Sequence, residues 1–188
     1  MIKILVVLLF GIFTMTGLGQ RTLVETENHV VTVSKRGEMI VFTMEALNDF
    51  TNDRDSSRPV GMGWDFGSIR VDLNNNKVVD KQVDVAFGTR QKTDRFCPQF
   101  LIGVDASTPC NGLRSFGKVR VEFTATDRQP TPHAVTTYEI PIGELMRFGG
   151  KIGLAFTFYD ASARMDYFPT SRNPRSFQET IQLDLSGL

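Results

Sequence analysis

The sequence predicts an all-β chain folded as a single antiparallel β-sandwich, and three observations carry that expectation. Nearly every apolar segment alternates with period two, the spacing of a strand with one face buried. Clusters rich in Asn, Asp, Gly and Pro separate these segments and supply turns. No internal repeat, low-complexity tail or linker divides the 188 residues. About eight or nine short strands joined by turns suit two packed antiparallel sheets.

The first residues stand apart from that pattern. Lys3 is followed by the apolar run Ile4 to Phe13, and small residues come at Gly17 and Gly19. A charged start, a short apolar stretch and small residues before the break describe a secretory signal peptide over residues 1–19. The run is too short to span a bilayer comfortably. The β-sandwich domain then covers residues 20–188, and a periplasmic or extracellular destination follows, with no stable membrane insertion. The whole chain has 21 basic and 21 acidic residues and no basic run. That balance argues against nucleic acid as a partner.

Taken in order, Ile40, Phe42 and Met44 alternate first. Ile69, Val71 and Leu73 form the next set, and Val83, Val85 and Phe87 the one after. Val119, Val121, Phe123 and Ala125 alternate with Lys118, Arg120, Glu122 and Thr124, a half-buried strand. Tyr138, Ile140 and Ile142 continue the pattern, and Pro141 marks an edge strand or a strand end. A single helical turn is expected over Ile142–Arg147, before Gly149 and Gly150. Ile152, Leu154, Phe156 and Phe158 make the strongest alternating set, and Ile181, Leu183 and Leu185 close the series.

The stretch Asp72–Asp84 carries the densest chemistry. Asp72, Asn74, Asn76 and Asp80 present side-chain oxygens at positions one, three, five and nine of a loop, and Val78 offers its carbonyl at position seven. Asp84 lies just beyond as a closing carboxylate. Such spacing curls oxygen ligands around a hard cation, so calcium is the expected cofactor. Lys77 stands where a helical calcium loop has glycine, and Val83 where it has glutamate, so the site is a strand–loop–strand variant. The competing reading is a plain Asn-rich hairpin turn, because asparagine tolerates positive φ. Three aspartates gathered without a cation would repel one another, which favours the metal.

Cys97 and Cys110 are the only two cysteines. In an oxidising compartment they pair most simply as a disulfide, worth about 3 kcal/mol by loop-entropy reasoning. His29 and His133 show no ligand spacing to support a metal pair.

Three segments in this order resemble the family 9 carbohydrate-binding modules and the wider DOMON-like β-sandwiches. They are the Asp72-x-Asn74-x-Asn76 loop with Asp80 and Asp84, then Tyr138 to Leu145, then Lys151 to Asp160. The resemblance covers roughly residues 38 to 185 through short motifs. It implies a jelly-roll-like sandwich, bound calcium, and a sugar site at one face or rim. The family clamps a saccharide between two aromatic rings, commonly tryptophans. This chain has one, Trp64, so Tyr159, Tyr167 or Phe168 must supply the second plate.

The ligand site expected on this basis comprises Trp64, Tyr159, Arg164, Asp166 and Tyr167. Ring stacking would come from Trp64 and a loop over residues 159–168, and hydrogen bonds to hydroxyls from Arg164 and Asp166. A lone tryptophan in a sandwich is more often core packing than a sugar platform, which is the competing reading of Trp64. The glycines beside it, among them Gly67, allow a ligand or another strand to approach closely.

An exported, non-catalytic, calcium-stabilised module that binds carbohydrate or a glycosylated surface is the leading expectation. The alternative is an envelope structural or interaction protein that docks a protein partner through a sheet face. A haem-binding DOMON-type domain would need Met and His ligands in register, which nothing in the spacing indicates. No Gly-x-Ser-x-Gly or His-Glu-x-x-His motif is present. Glu122 and Glu139 on one sheet surface are the sole candidates for paired-carboxylate chemistry.

Overall fold

A computed structural model of the protein describes residues 19–52, 65–80, 83–87, 117–160, 165–169 and 177–188. Within them the chain is all-β, two antiparallel sheets packed as a β-sandwich. The strands are β1 (Arg21–Glu25), β2 (His29–Arg36), β3 (Met39–Ala46), β4 (Phe66–Asp72) and β5 (Val85–Phe87). They continue as β6 (Lys118–Thr124), β7 (His133–Pro141), β8 (Lys151–Tyr159), β9 (Met165–Phe168) and β10 (Ile181–Asp184). One helical turn, α1 (Ile142–Leu145), follows β7 directly, where the sequence places it.

The first sheet runs β1-β2-β3-β7-β6. The second runs β10-β8-β4-β5, with β9 also on β8. β10 takes Lys151–Leu154 and β9 takes Phe156–Tyr159, so the two short strands share successive halves of one edge of β8. β7 is an interior strand, bonded to β3 on one side and β6 on the other. Pro141, lacking an N–H, therefore marks the end of a strand rather than an edge.

Alternation sends one set of side chains from each sheet into a shared core. Phe42 of β3 meets Phe156 of β8 across the gap, ring centroids 6.4 Å apart, and both are fully buried. Leu145 of α1 and Leu185 after β10 close one end of that core. β2 escapes the alternation rule. Val30, Val31, Thr32 and Val33 are all buried, so this strand is covered on both faces and reads as a continuous run.

The sheets are also bridged by hydrogen bonds at Gly67 of β4. Its N–H donates to Thr136 Oγ1 at 2.9 Å, and its carbonyl accepts from the Tyr138 hydroxyl at 2.6 Å. Both partners lie on β7 of the opposite sheet. A Cβ at position 67 would come within 2.6 Å of the Met44 side chain. The glycine is there because another strand comes close.

Candidate functional site

The Asp72–Asp84 loop joins β4 to β5 as a strand–loop–strand unit, with Ile69 opposite Phe87 and Val71 opposite Val85. Its polar side chains fold back on the loop's own backbone. Asp72 accepts from the Asn76 N–H at 3.2 Å and the Lys77 N–H at 2.8 Å. Asn74 Oδ1 accepts from the Asn76 N–H at 3.4 Å, and Asn76 Oδ1 from the Val78 N–H at 2.8 Å. Asp84 accepts from the Leu73 N–H at 3.2 Å and the Asp80 N–H at 2.6 Å. Asn75 and Lys77 have φ of 52° and 63°, the positive values of a tight turn.

Two features set this loop apart from a relaxed turn. Asp72 and Asp84 are completely buried, and the side-chain oxygen of Asn75 is buried with no hydrogen-bond partner. Burial, reinforced by Asp72 and Asp80 nearby, pushes the Asp84 carboxyl up from 3.8 to about 6 against the pull of its two N–H donors. Repulsion between carboxylates is thus present, as the spacing predicts. Even so, no three His, Cys, Asp or Glu side chains among the described residues stand together as a metal-holding group. Amide and carbonyl oxygens would have to complete a cation's shell.

The expected ligand residues divide between two faces, which corrects the single loop drawn over 159–168. Tyr159 ends β8, and Asp166, Tyr167 and Phe168 belong to β9. Strand alternation then separates them. Tyr159 and Tyr167 face outward with Phe66 and Arg70 of β4. The Tyr159 ring stacks on Phe66 at 4.5 Å and 12°, and burial holds its phenol above the usual range. The Tyr167 hydroxyl donates to Met165 Sδ at 3.1 Å. Asp166 and Phe168 point the other way, towards the core. Phe168 packs edge-on to Phe158 at 5.9 Å, and Asp166 reaches His29 of the opposite sheet at 3.6 Å.

That contact between the sheets lies beside a pocket of about 290 Å³ at one end of the sandwich. Its wall comes from the start of β2, the segment after β3, the end of β8 and the start of β9. His29 packs on Phe158 with ring centroids 4.4 Å apart. Phe50 is half exposed, while Asp49, Tyr159, Asp160 and Asp166 contribute polar groups. A planar apolar surface beside several hydrogen-bonding groups is the composition of a small-molecule site, at the lower end of the roughly 300–1,000 Å³ such sites occupy. Of the expected ligand residues, Tyr159 and Asp166 line it. His29, Asp49, Phe50 and Asp160 were missed, because three turns from distant parts of the chain bring them together. Phe50 alone left a signal, an aromatic inside the polar stretch Asn48 to Asp55.

Trp64, Arg164, Cys97, Cys110 and residues 1–18 lie outside the described residues. Neither histidine is as isolated as the sequence suggests. His133, fully buried, holds Glu45 Oε2 at 3.3 Å and the Thr131 carbonyl at 3.0 Å. Glu122 and Glu139 do share a face of the first sheet. Glu139 stands opposite Lys118, four residues from Glu122, a separation of roughly 13 Å at strand rise. Paired-carboxylate hydrolysis works across about 5–9.5 Å.

No helix among the described residues is long and apolar enough to cross a membrane. No protein-family model matches the chain, and no curated protein is similar to it. Among solved structures it is similar to a carbohydrate-binding module of family 9 from Caldicellulosiruptor kristjanssonii, in complex with cellotriose. The likeness covers 87% of this chain and 77% of that one, with a TM-score of 0.52 and 14% sequence identity. At that identity the likeness is one of fold.

Proposed function

We propose that this protein is an exported, non-catalytic module that binds carbohydrate in the end pocket between His29, Phe50 and Asp166. The observation that carries the reading is that pocket, an open cavity where a half-exposed ring stands beside carboxylates. It occurs on a sandwich whose structural neighbour is a carbohydrate-binding module. Phe50 offers a face to a sugar ring, and stacking of this kind contributes about 0.5–1.5 kcal/mol between aromatic partners. Asp49, Asp160 and Asp166 accept hydrogen bonds from ring hydroxyls. His29, held between Phe158 and Asp166, fixes the orientation of that last carboxylate. Trp64 and Arg164 belong to the same proposal as sequence-derived ligand residues.

The reading extends to a calcium ion on the β4–β5 loop as a structural element away from the sugar. Asp72 and Asp84 would hold it, with the Asn75 amide oxygen, Asn74, Asn76, Asp80 and the Val78 carbonyl as further oxygens. The partnerless Asn75 oxygen and the crowded, proton-retaining Asp84 support that assignment. The ion would supply positive charge to buried carboxylates and so keep the loop closed. Export by a cleaved 1–19 segment and a Cys97–Cys110 disulfide complete the proposal.

Titration calorimetry with cellotriose and a panel of related oligosaccharides tests the function. Binding that weakens about tenfold in Phe50→Ala, with the melting temperature unchanged, is the expected outcome. Undiminished binding by Phe50→Ala together with Asp166→Ala would move the site elsewhere. Absence of glycan binding across the panel would leave the fold without this function.

A further inference from the structure

A second concavity, of about 440 Å³, lies on the outer face of the first sheet and shares no lining residue with the end pocket. Arg36 of β2, Thr43 of β3, Thr137 of β7, and Lys118 and Arg120 of β6 line it, together with Glu139. Strand register puts these side chains on one face. Thr43 stands opposite Thr137 and Thr137 opposite Arg120, while Glu139 stands opposite Lys118. Arg36 pairs with Met39, on the same side of β3 as Thr43. Since β2 and β6 are three strand intervals apart, the cations flank a trough roughly 14 Å wide with threonines between them. Lys118 and Arg120 follow each other along β6 at roughly 7 Å. Arg120 has Glu122 at 3.7 Å, an exposed contact, whereas Arg36 and Lys118 enter no ion pair among the described residues.

From this trough we propose a second binding site, which takes a uronic-acid oligosaccharide across β2, β3, β7 and β6. Such a site stands independently of the end pocket. No aromatic side chain lines the trough among the described residues. A neutral sugar therefore finds no ring to stack on, and a nucleic-acid strand lacks the platform that its bases need. A ligand held here must bring its own negative charge. The planar guanidinium forks of Arg36 and Arg120 match a carboxylate with two parallel hydrogen bonds, and Lys118 adds a point charge. Hydroxyls of the same sugar units have partners in Thr43, Thr137 and the Glu139 carboxylate. A uronic-acid unit carries both kinds of group, which fits a lining of cations, hydroxyls and one acid. Because the cations stand on both sides of the trough, an oligomer meets them with successive carboxylates.

The test is calorimetry on the intact protein at pH 7 with hexagalacturonate and its methyl ester, the same chain with its carboxylates capped. Chelator is present throughout, because uronate oxygens themselves take up calcium. The acid is expected to bind about tenfold or more tightly than the ester, and less tightly as salt screens exposed charge. Arg36→Gln and Lys118→Gln should each weaken it roughly threefold, as befits exposed pairs, and together about tenfold. Lys151→Gln, an exposed cation on the other sheet, and Phe50→Ala in the end pocket should leave it unchanged. Equal binding of acid and ester overturns the proposal. So does acid binding that persists in the double variant, and loss in Phe50→Ala moves the ligand to the end pocket and overturns it as well. Tighter binding of a heparin hexasaccharide overturns the choice of carboxylate over sulfate. No binding of the acid, with cellotriose still bound, removes this site and leaves the end pocket standing. Should the double variant fail to fold, the two single variants decide the matter.

Discussion

Titrating the protein from acid to neutral pH in the presence of a chelator should weaken it through one identifiable carboxyl, Asp84. This group is completely buried, and burial together with Asp72 and Asp80 pushes it up from 3.8 to about 6. A carboxyl raised in this way holds its proton more tightly in the folded chain than in the unfolded one. Its contribution to stability is fully present below 3.8 and is lost as the pH rises through about 6. Two pH units at about 1.4 kcal/mol each give a loss of roughly 3 kcal/mol across that window. For a domain of this size each kcal/mol moves the melting temperature by about 2–4 °C, so the expected fall is about 6–12 °C. Other carboxyls titrate in the same range with their own slopes, and Asp84→Asn is the reference that removes them. Asparagine keeps one acceptor for the Leu73 N–H and loses the one for Asp80, a cost that does not change with pH. The measurement is therefore the difference in melting temperature between wild type and Asp84→Asn, by calorimetry, at several pH values between 3.8 and 7. A difference that stays flat, or one that favours wild type more as the pH rises, refutes the reasoning about this loop.

Two further outcomes follow from the same structure. Calcium should raise the melting temperature more at pH 7 than at pH 4, because only the ionised Asp84 carboxylate gains from a cation; differential scanning fluorimetry with and without chelator reads this, and equal shifts at both pH values would count against calcium on Asp72 and Asp84. Tyr138→Phe should cost about 1–3 kcal/mol, the penalty for withdrawing a buried donor from the Gly67 carbonyl, while leaving glycan affinity unchanged; urea unfolding checks the first and calorimetry the second.

The elements that announced themselves in the sequence are those whose large apolar side chains recur at every second position. β4 and β6 have one face more buried than the other, while β8, buried from Ile152 to Phe158, alternates because its second face carries only the small Gly153, Ala155 and Thr157. β2 did not announce itself, since Val30 to Val33 are buried on both sides and leave no alternation to read. β9 was hidden for another reason. Asp166 breaks the expected apolar position, and it does so because His29 meets it from the other sheet. The β4–β5 loop was legible as a turn rich in oxygen donors, down to the strands on either side. Which donor each oxygen accepts from was not.

What the sequence by itself determined is the set of quantities that depend on near neighbours: strand periodicity, the turn at Asp72–Asp84, the helical turn after Pro141 and the close approach allowed at Gly67. These follow from local sterics and from side-chain spacing along one strand. The tertiary structure decided everything that requires two distant strands to meet. It parted Tyr167 from Asp166, since neighbouring residues in a strand point to opposite faces. It assembled the end pocket from His29, Phe50, Tyr159 and Asp166, residues that only the crossing of β2, β3, β8 and β9 brings to one place. A binding site is a property of that convergence, and convergence is set by how two sheets pack rather than by the order of residues along either.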